Sequence, residues 1–372
     1  MSWNRIIKIA LVEPNLSGHH VVYLEHFIQC LRQKGYNVTV YSLRSMGDTS
    51  FKIIPYIKGW RLPKNSIIKK FVVGINWGIL SVNWLFLRKQ LSKGTDLVFF
   101  CCLDDYMNEL MPKWLFEILF PYNFSGLLLT PRQETKMFFF DRRNILKSRY
   151  CKSVAVLDEF CRDYLIPYQS NIVYFPDFSD ESKPNTNYDL ALKVLEKARG
   201  RKIISLLGAI DLRKGIVNFI EASKLADQTK YFFLIAGKSF LTGREQEILD
   251  NFVNRSNCLY WGQRIPTEAD FNQLVAISDV IYAAYVNFTQ SSNMFSKCAL
   301  FGKPLIVSRG YYMEEVVNRY HLGCVISQDS PSECVKAIFD CLDHPIDQDK
   351  WKRYLDHHSV RQLDRAFSEI LK

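Results

Sequence analysis

Short apolar runs alternate along the chain with longer stretches in which apolar residues recur every three or four positions, the pattern of strands separated by helices. Residues 6–12 read as a first strand, and a polar loop with Gly18 follows it. Val21, Val22, Leu24, Phe27, Ile28 and Leu31 then mark a helix that stops at Gly35, and residues 38–43 form a second strand. Further strand-like runs fall at 96–102, 126–130 and 153–157, each ending in a polar loop. Between 175 and 201 the pattern lapses into Pro176-Asp177, Ser179 and Lys183-Pro184-Asn185, then a short charged helix; this is the expected linker. Beyond it, runs at 203–207, 231–236, 258–261, 280–283, 304–307 and 324–326 repeat the alternation. Strands spaced by helices require parallel sheets covered on both faces. The expectation is two Rossmann-like, doubly wound α/β domains: residues 1–176 and 201–350, joined by a linker at 177–200.

One stretch departs from this pattern. Residues 71–87 are apolar and flanked by Lys69-Lys70 and Arg88-Lys89. The run falls short of the ~20 residues that a bilayer core requires, and Asn76 and Asn83 interrupt it. It therefore predicts a buried helix packed on the sheet, with a helix lying partly in a membrane interface as the alternative.

With 372 residues, 48% of them apolar, two cores of ordinary size can be buried. The ten cysteines show no CxxC spacing, so buried reduced thiols are expected rather than metal ligands. No run has the layout of a secretory signal, which points to the cytosol. Charge is more informative when divided along the chain. Residues 1–176 hold 23 Lys and Arg against 13 Asp and Glu, and the remainder is balanced at 25 against 25, so the whole +10 excess lies in the first half. Residues 51–100 carry nine cations and one anion, interleaved with Phe71, Trp60, Trp77, Trp84 and Phe86. Such a stretch suits an anionic membrane surface; a neutral second half counts against nucleic acid.

Candidate chemistry gathers at the strand ends, where open α/β sheets collect ligands. Gly208 breaks the run 203–207, and a loop with Arg213 and Lys214 leads through Gly215 into a helix. Gly237-Lys238-Ser239 is a second Gly-cation turn, and Gly262-Gln263-Arg264-Ile265 offers backbone groups to a base. Ser291, Ser292 and Asn293 precede another helix, whose amides suit a phosphate. In the first half the loop residues Gly18, His19 and His20, and the strand-end carboxylates Asp104 and Asp105, are candidates for acceptor contact and for a base.

The second half resembles the donor domain of GT-B glycosyltransferases, most of all the retaining family 4 group. The resemblance is carried by Gly208 with Arg213-Lys214-Gly215, Leu234-Ile235-Ala236-Gly237, Tyr260-Trp261-Gly262, Ser278-Asp279-Val280 and Ala299-Leu300-Phe301-Gly302-Lys303-Pro304. The first half is similar in outline to the acceptor domain, with Ser17-Gly18-His19 in its first loop. The resemblance implies two domains facing across a cleft, and a carboxyl-terminal helix, 351–372, that crosses back to the first. It implies a nucleotide diphosphate sugar as donor, with Gly208, Arg213, Lys214, Lys238, Ile265, Ser291, Ser292 and Asn293 around it, and neither a metal nor a separate cofactor. The chain is divergent. Where the family carries two glutamates eight positions apart, this sequence has Thr289 and Lys297; Ala209 replaces an arginine, and Arg132 stands where a histidine is common. The expected activity is sugar transfer to an acceptor hydroxyl of a saccharide or lipid-linked saccharide, with His20, Asp104, Asp105 and Arg132 as catalytic candidates. A non-catalytic scaffold that kept the fold is the alternative, and a nucleotide-sugar epimerase a weaker one.

Overall fold

The computed structural model describes residues 6–16, 19–45, 50–62, 66–133, 136–137, 140–253 and 255–372. The chain divides into two compact units, residues 1–176 with 360–372, and residues 177–359.

The first unit is built on a parallel sheet. Its strands are β1 (Lys8–Val12), β2 (Asn37–Ser42), β3 (Phe51–Ile53), β4 (Leu97–Phe100), β5 (Phe124–Leu128), β6 (Cys151–Val156) and β7 (Ile172–Tyr174), in the spatial order β3-β2-β1-β4-β5-β6-β7. Val98, Phe99 and Phe100 are wholly buried because helices cover both faces, which is why the strand sequences are apolar runs rather than alternations. The order reverses between β1 and β4, whose pairing sets Ile9 against Leu97 and Val12 against Phe100. The loops after Val12 and Phe100 therefore flank the switch point, where a ligand crevice forms.

The apolar stretch expected at 71–87 belongs to a longer helix, Ser66–Gln90, 25 residues in all. By length and composition it could cross a membrane, so shortness is no argument against a span. The charged ends were absent from the apolar run, yet they continue the helix at exposed positions. Packing decides the matter: Leu80, Trp84 and Leu87 lie in the core of the first unit. Trp84 is ringed by Phe100, Tyr106, Phe116 and Phe120 at centroid distances of 4.8–5.3 Å, so this half of the helix is a core element.

The second unit contains β8 (Lys202–Leu207), β9 (Tyr231–Ala236), β10 (Cys258–Trp261), β11 (Val280–Ala283), β12 (Leu305–Ser308) and β13 (Gly323–Ile326), ordered β10-β9-β8-β11-β12-β13. Its switch point lies between β8 and β11. Residues 177–200, expected as a linker, pack on this unit instead. Asp177 and Ser179 are buried, and Asn272 donates to the carbonyls of Asp180 (3.2 Å) and Ser182 (2.8 Å). The carboxyl-terminal segment splits later than expected. Helix Gln348–His358 belongs to the second unit, and helix Gln362–Ile370 to the first, where Phe367 meets Phe27, Phe99 and Phe175 at 5.2–5.3 Å. All ten cysteines are free, and all but Cys30 and Cys324 are buried.

Candidate functional site

In the second unit the sequence lays an apolar strand, β8, against a turn that only glycine can make. Gly208 has φ +104°, and Gly237, φ +146°, lies so close behind it that an added Cβ would sit 1.7 Å from the Gly208 carbonyl oxygen. Asp211 then accepts from the Lys214 amide and starts a single 3-10 turn, Leu212–Lys214. Gly215, φ +69°, hands the chain to helix Ile216–Leu225; a Cβ there would meet the Ala284 carbonyl at 2.3 Å. The loop is thus pressed against the segment that leaves β11, and Val286 donates to the Arg213 carbonyl at 2.8 Å.

This arrangement brings Arg213 and Lys214 to the switch point. The Arg213 guanidinium lies 5.3 Å from the Phe288 ring and 3.6 Å from Asp211, and half of the side chain is exposed. The Lys214 ammonium sits 3.9 Å above Tyr285, and no ion pair is formed by it among the described residues. Lys238 is exposed beside Phe240 at 5.3 Å, one strand over, while Ile265 is buried. Several loop amides expected to be available to a ligand are engaged within the protein: Gly208 donates to Ala236, Ile210 to Lys238, and Gly237 to Trp261. The cations consequently carry more of the anion-attracting character than the amides do.

The wall formed by Ser291, Ser292 and Asn293 also differs from expectation in detail. The Ser291 hydroxyl donates to the Asp177 carboxylate, so it is occupied. Ser292 accepts from the Met294 amide (3.4 Å), and Asn293 is the N-cap residue of helix Met294–Phe301 without a capping side-chain bond. Lys297, where the resemblance implied a second glutamate, is 1% exposed. Its ammonium donates to Glu268 (2.7 Å) and Asn272 (2.8 Å) and lies 5.0 Å from the Phe271 ring. This pairing was not legible beforehand, because Glu268 lies on a different helix, Glu268–Ile277.

In the first unit the loops after β1 and β4 bring together a histidine and three carboxylates. His20 Nδ1 lies 3.2 Å from Glu13, a buried carboxylate that also accepts from the Asn15 amide at 2.8 Å. Burial works to lower the His20 pKa, but the hydrogen bond and charge of Glu13, with the charge of Asp105, raise it above 6.5 overall. Asp105 is also raised, by burial first and then by the negative charges of Glu13 and Asp104. Asp104 is fully engaged: it accepts from the amides of Leu129 (2.6 Å) and Thr130 (3.2 Å), from the Thr130 hydroxyl and from Arg142 (3.0 Å). Arg132 makes a two-point bond to the buried Asp158, at 2.5 and 3.0 Å. Both residues, expected as catalytic, organise the ends of β5 and β6. Glu13 was not singled out by the sequence, although a carboxylate directly after the first strand is a signal that could have found it. Gly18 lies outside the described residues, and His19 begins helix His19–Gln33.

Beside this cluster the first unit has an open cavity of about 460 Å³. Asp105, Asn108, Arg142, Tyr56, Trp60 and Leu80 are among the residues that line it.

No protein-family profile matches the chain, and no curated protein matches it in sequence. Solved structures do. A glycosyltransferase from Rickettsia africae superposes with a TM-score of 0.67 at 18% identity, covering 100% of both chains. Anabaena Alr3699/HepE, in complex with UDP and glucose, gives 0.64 at 12% over 98% of this chain and 99% of the other. WaaG, a glycosyltransferase involved in lipopolysaccharide biosynthesis, gives 0.63 at 13% over 99% and 100%. The chain has the GT-B glycosyltransferase fold.

Proposed function

We propose that the protein transfers a glycosyl group from a nucleotide diphosphate sugar to an acceptor hydroxyl, in the synthesis of a polysaccharide or glycolipid. The observation that carries this reading is the pair Arg213 and Lys214, held by three positive-φ glycines at the switch point of the second sheet. Glycosyl transfer breaks the bond between the anomeric carbon and the diphosphate, and negative charge grows on the departing phosphate oxygens. Two fixed cations stabilise that charge with little reorganisation and without a bound metal. The amides that open helix Met294–Phe301 add to the positive potential. HepE, which has the same fold, was captured with UDP and glucose, and this supports a nucleotide-sugar donor for the present chain.

The acceptor is assigned to the first unit, in the cavity lined by Asp105. His20 is the base the geometry favours, because Asp104 and Arg132 are engaged in holding strand ends. Glu13 holds the ring through Nδ1, and in this reading the imidazole takes the acceptor proton. The charge excess of the first half supports attachment to an anionic membrane surface from the cytoplasmic side.

Incubation with a panel of nucleotide sugars, following release of free nucleotide diphosphate, tests the reading. Release from one donor class, accelerated by a lipid-linked or free saccharide, is the expected result. Absence of both binding and release across the panel would favour the scaffold alternative.

A further inference from the structure

The two asparagines that interrupt the apolar helix have a definite task. Asn83, buried in the face turned to the core, accepts from the Ile57 amide and donates to the Ile57 carbonyl, both at 2.9 Å. Asn76, two turns earlier on the same face, does the same for Trp60, at 2.7 and 2.9 Å. Each side-chain amide thus mimics a strand partner and clamps the segment 57–60 along helix Ser66–Gln90. Gly59 allows the close approach, since a Cβ there would lie 3.0 Å from the Asn76 side-chain oxygen.

The clamp holds large apolar side chains in water. Ile57, Trp60 and Leu62 are 46%, 58% and 44% exposed, and in the first two turns of the helix Ile67, Ile68 and Phe71 are 78%, 51% and 69% exposed. Exposed Lys58, Arg61, Lys69 and Lys70 are interspersed with them. No acidic residue occurs between Asp48 and Asp96. An apolar ledge of this kind marks an interaction surface. Cations distributed among the apolar side chains, in a stretch of sequence without an acid, complement an anionic bilayer, whose surface takes the charges while its acyl boundary takes the rings. The later half of the helix is anchored in the core at Trp84.

The same segment walls the cavity. Tyr56, Trp60 and Leu62, in and beside the clamped segment, and Asn76 and Leu80 from the helix line it together with Asp105, whose carbonyl accepts from the Tyr56 hydroxyl. We infer that this ledge docks on an anionic phospholipid bilayer and that the cavity behind it receives the head of an acceptor borne by that bilayer. The acceptor half of this inference rests on the glycosyl-transfer reading; the docking half does not.

Flotation with vesicles of phosphatidylcholine alone, or mixed with phosphatidylglycerol, tests it. The wild-type chain is expected to float with the anionic vesicles at low salt, and much less with the neutral ones. Lys69→Gln with Lys70→Gln should weaken partition about fivefold per charge, the equivalent of ~1 kcal/mol for each cation near the surface. Ile67→Ser with Phe71→Ser should weaken it about tenfold or more, on the order of 1.4 kcal/mol. Because both pairs are exposed, circular dichroism should be unchanged. A second measurement does not depend on partition strength: brominated lipid should quench wild-type tryptophan fluorescence, and Trp60→Phe should lose most of that quenching. Flotation indifferent to both double variants, or quenching indifferent to Trp60→Phe, overturns the docking. Flotation by a chain that binds no nucleotide sugar would leave the docking standing and sink the glycosyl-transfer reading. Donor-driven transfer to water-soluble and bilayer-borne acceptors at equal rates would overturn the acceptor half.

Discussion

Lys297 stands where the resemblance to family 4 glycosyltransferases implies a carboxylate, and its surroundings assign it a different task. Replacing it with Met removes two hydrogen bonds and the contact with Phe271 while filling nearly the same volume. The largest cost comes from Asn272, whose side-chain oxygen loses its Lys297 donor in a fully buried setting, at about 1–3 kcal/mol. Glu268 has a side chain 42% exposed and rehydrates, so its share is discounted to about 0–1 kcal/mol. Loss of the ring contact adds roughly 0.5–1 kcal/mol, and the apolar Met side chain offsets part of the total. The net expectation is destabilisation by about 2–3 kcal/mol. For a unit of this size that lowers Tm by roughly 4–12 °C. Lys297→Glu should be worse, because it sets a buried carboxylate against Glu268. Thermal denaturation, followed by circular dichroism, measures the loss, and calorimetric titration with the preferred nucleotide sugar gives the affinity of the surviving folded protein. The expected result is lower stability with an unchanged Kd. A Lys297→Met protein of wild-type stability whose donor affinity falls tenfold would refute it and return Lys297 to the donor site.

Other consequences follow from the same geometry. Gly237→Ala should destabilise the second unit by about 3 kcal/mol or more, through the clash with the Gly208 carbonyl and the positive φ, and denaturant unfolding reads this directly. Asn83→Ala should free the clamped segment, so that the Ile57 amide exchanges with deuterium much faster than in the wild type while amides of β4 do not. Two histidines should give opposite pH signatures. Burial first, then the neighbouring His357 and Arg319, lowers the His358 pKa to about 3, so the fold disfavours its charged form. Stability is complete above pH 6.5 and falls as pH drops from 6.5 toward 3, a slope that His358→Phe should flatten. His20 has a raised pKa, so its contribution is complete below 6.5 and is lost as pH rises through the folded value; Glu13→Gln should remove that loss. Stability measured across this range checks both.

The fold was legible because both sheets are buried on two faces, which forces runs such as Leu97–Phe100 and Tyr231–Ala236 to be apolar throughout. The donor loop was legible because glycines at positive φ cannot be replaced cheaply and so punctuate the sequence. Pairings between distant positions were not. Nothing local to Asp104 announces that the amides of Leu129 and Thr130 will occupy it, and nothing near Arg132 points to Asp158. Asn76 and Asn83 interrupt an apolar run, yet their partners lie 16 and 26 residues earlier in a segment without periodicity. Residues 177–200 have the composition of a linker, and only the asparagine contacts from the second unit reveal them as part of it.

In the proposed reaction Arg213 and Lys214 bind the diphosphate of a nucleotide-sugar donor. Titration calorimetry of the wild type and Lys214→Ala with the nucleoside diphosphate found in the donor screen tests it most directly. Loss of one charge-assisted contact, ~1.5–3 kcal/mol, should weaken binding by about ten- to a hundredfold, with Tm in the absence of ligand unchanged. Equal affinity in the two proteins would contradict the account.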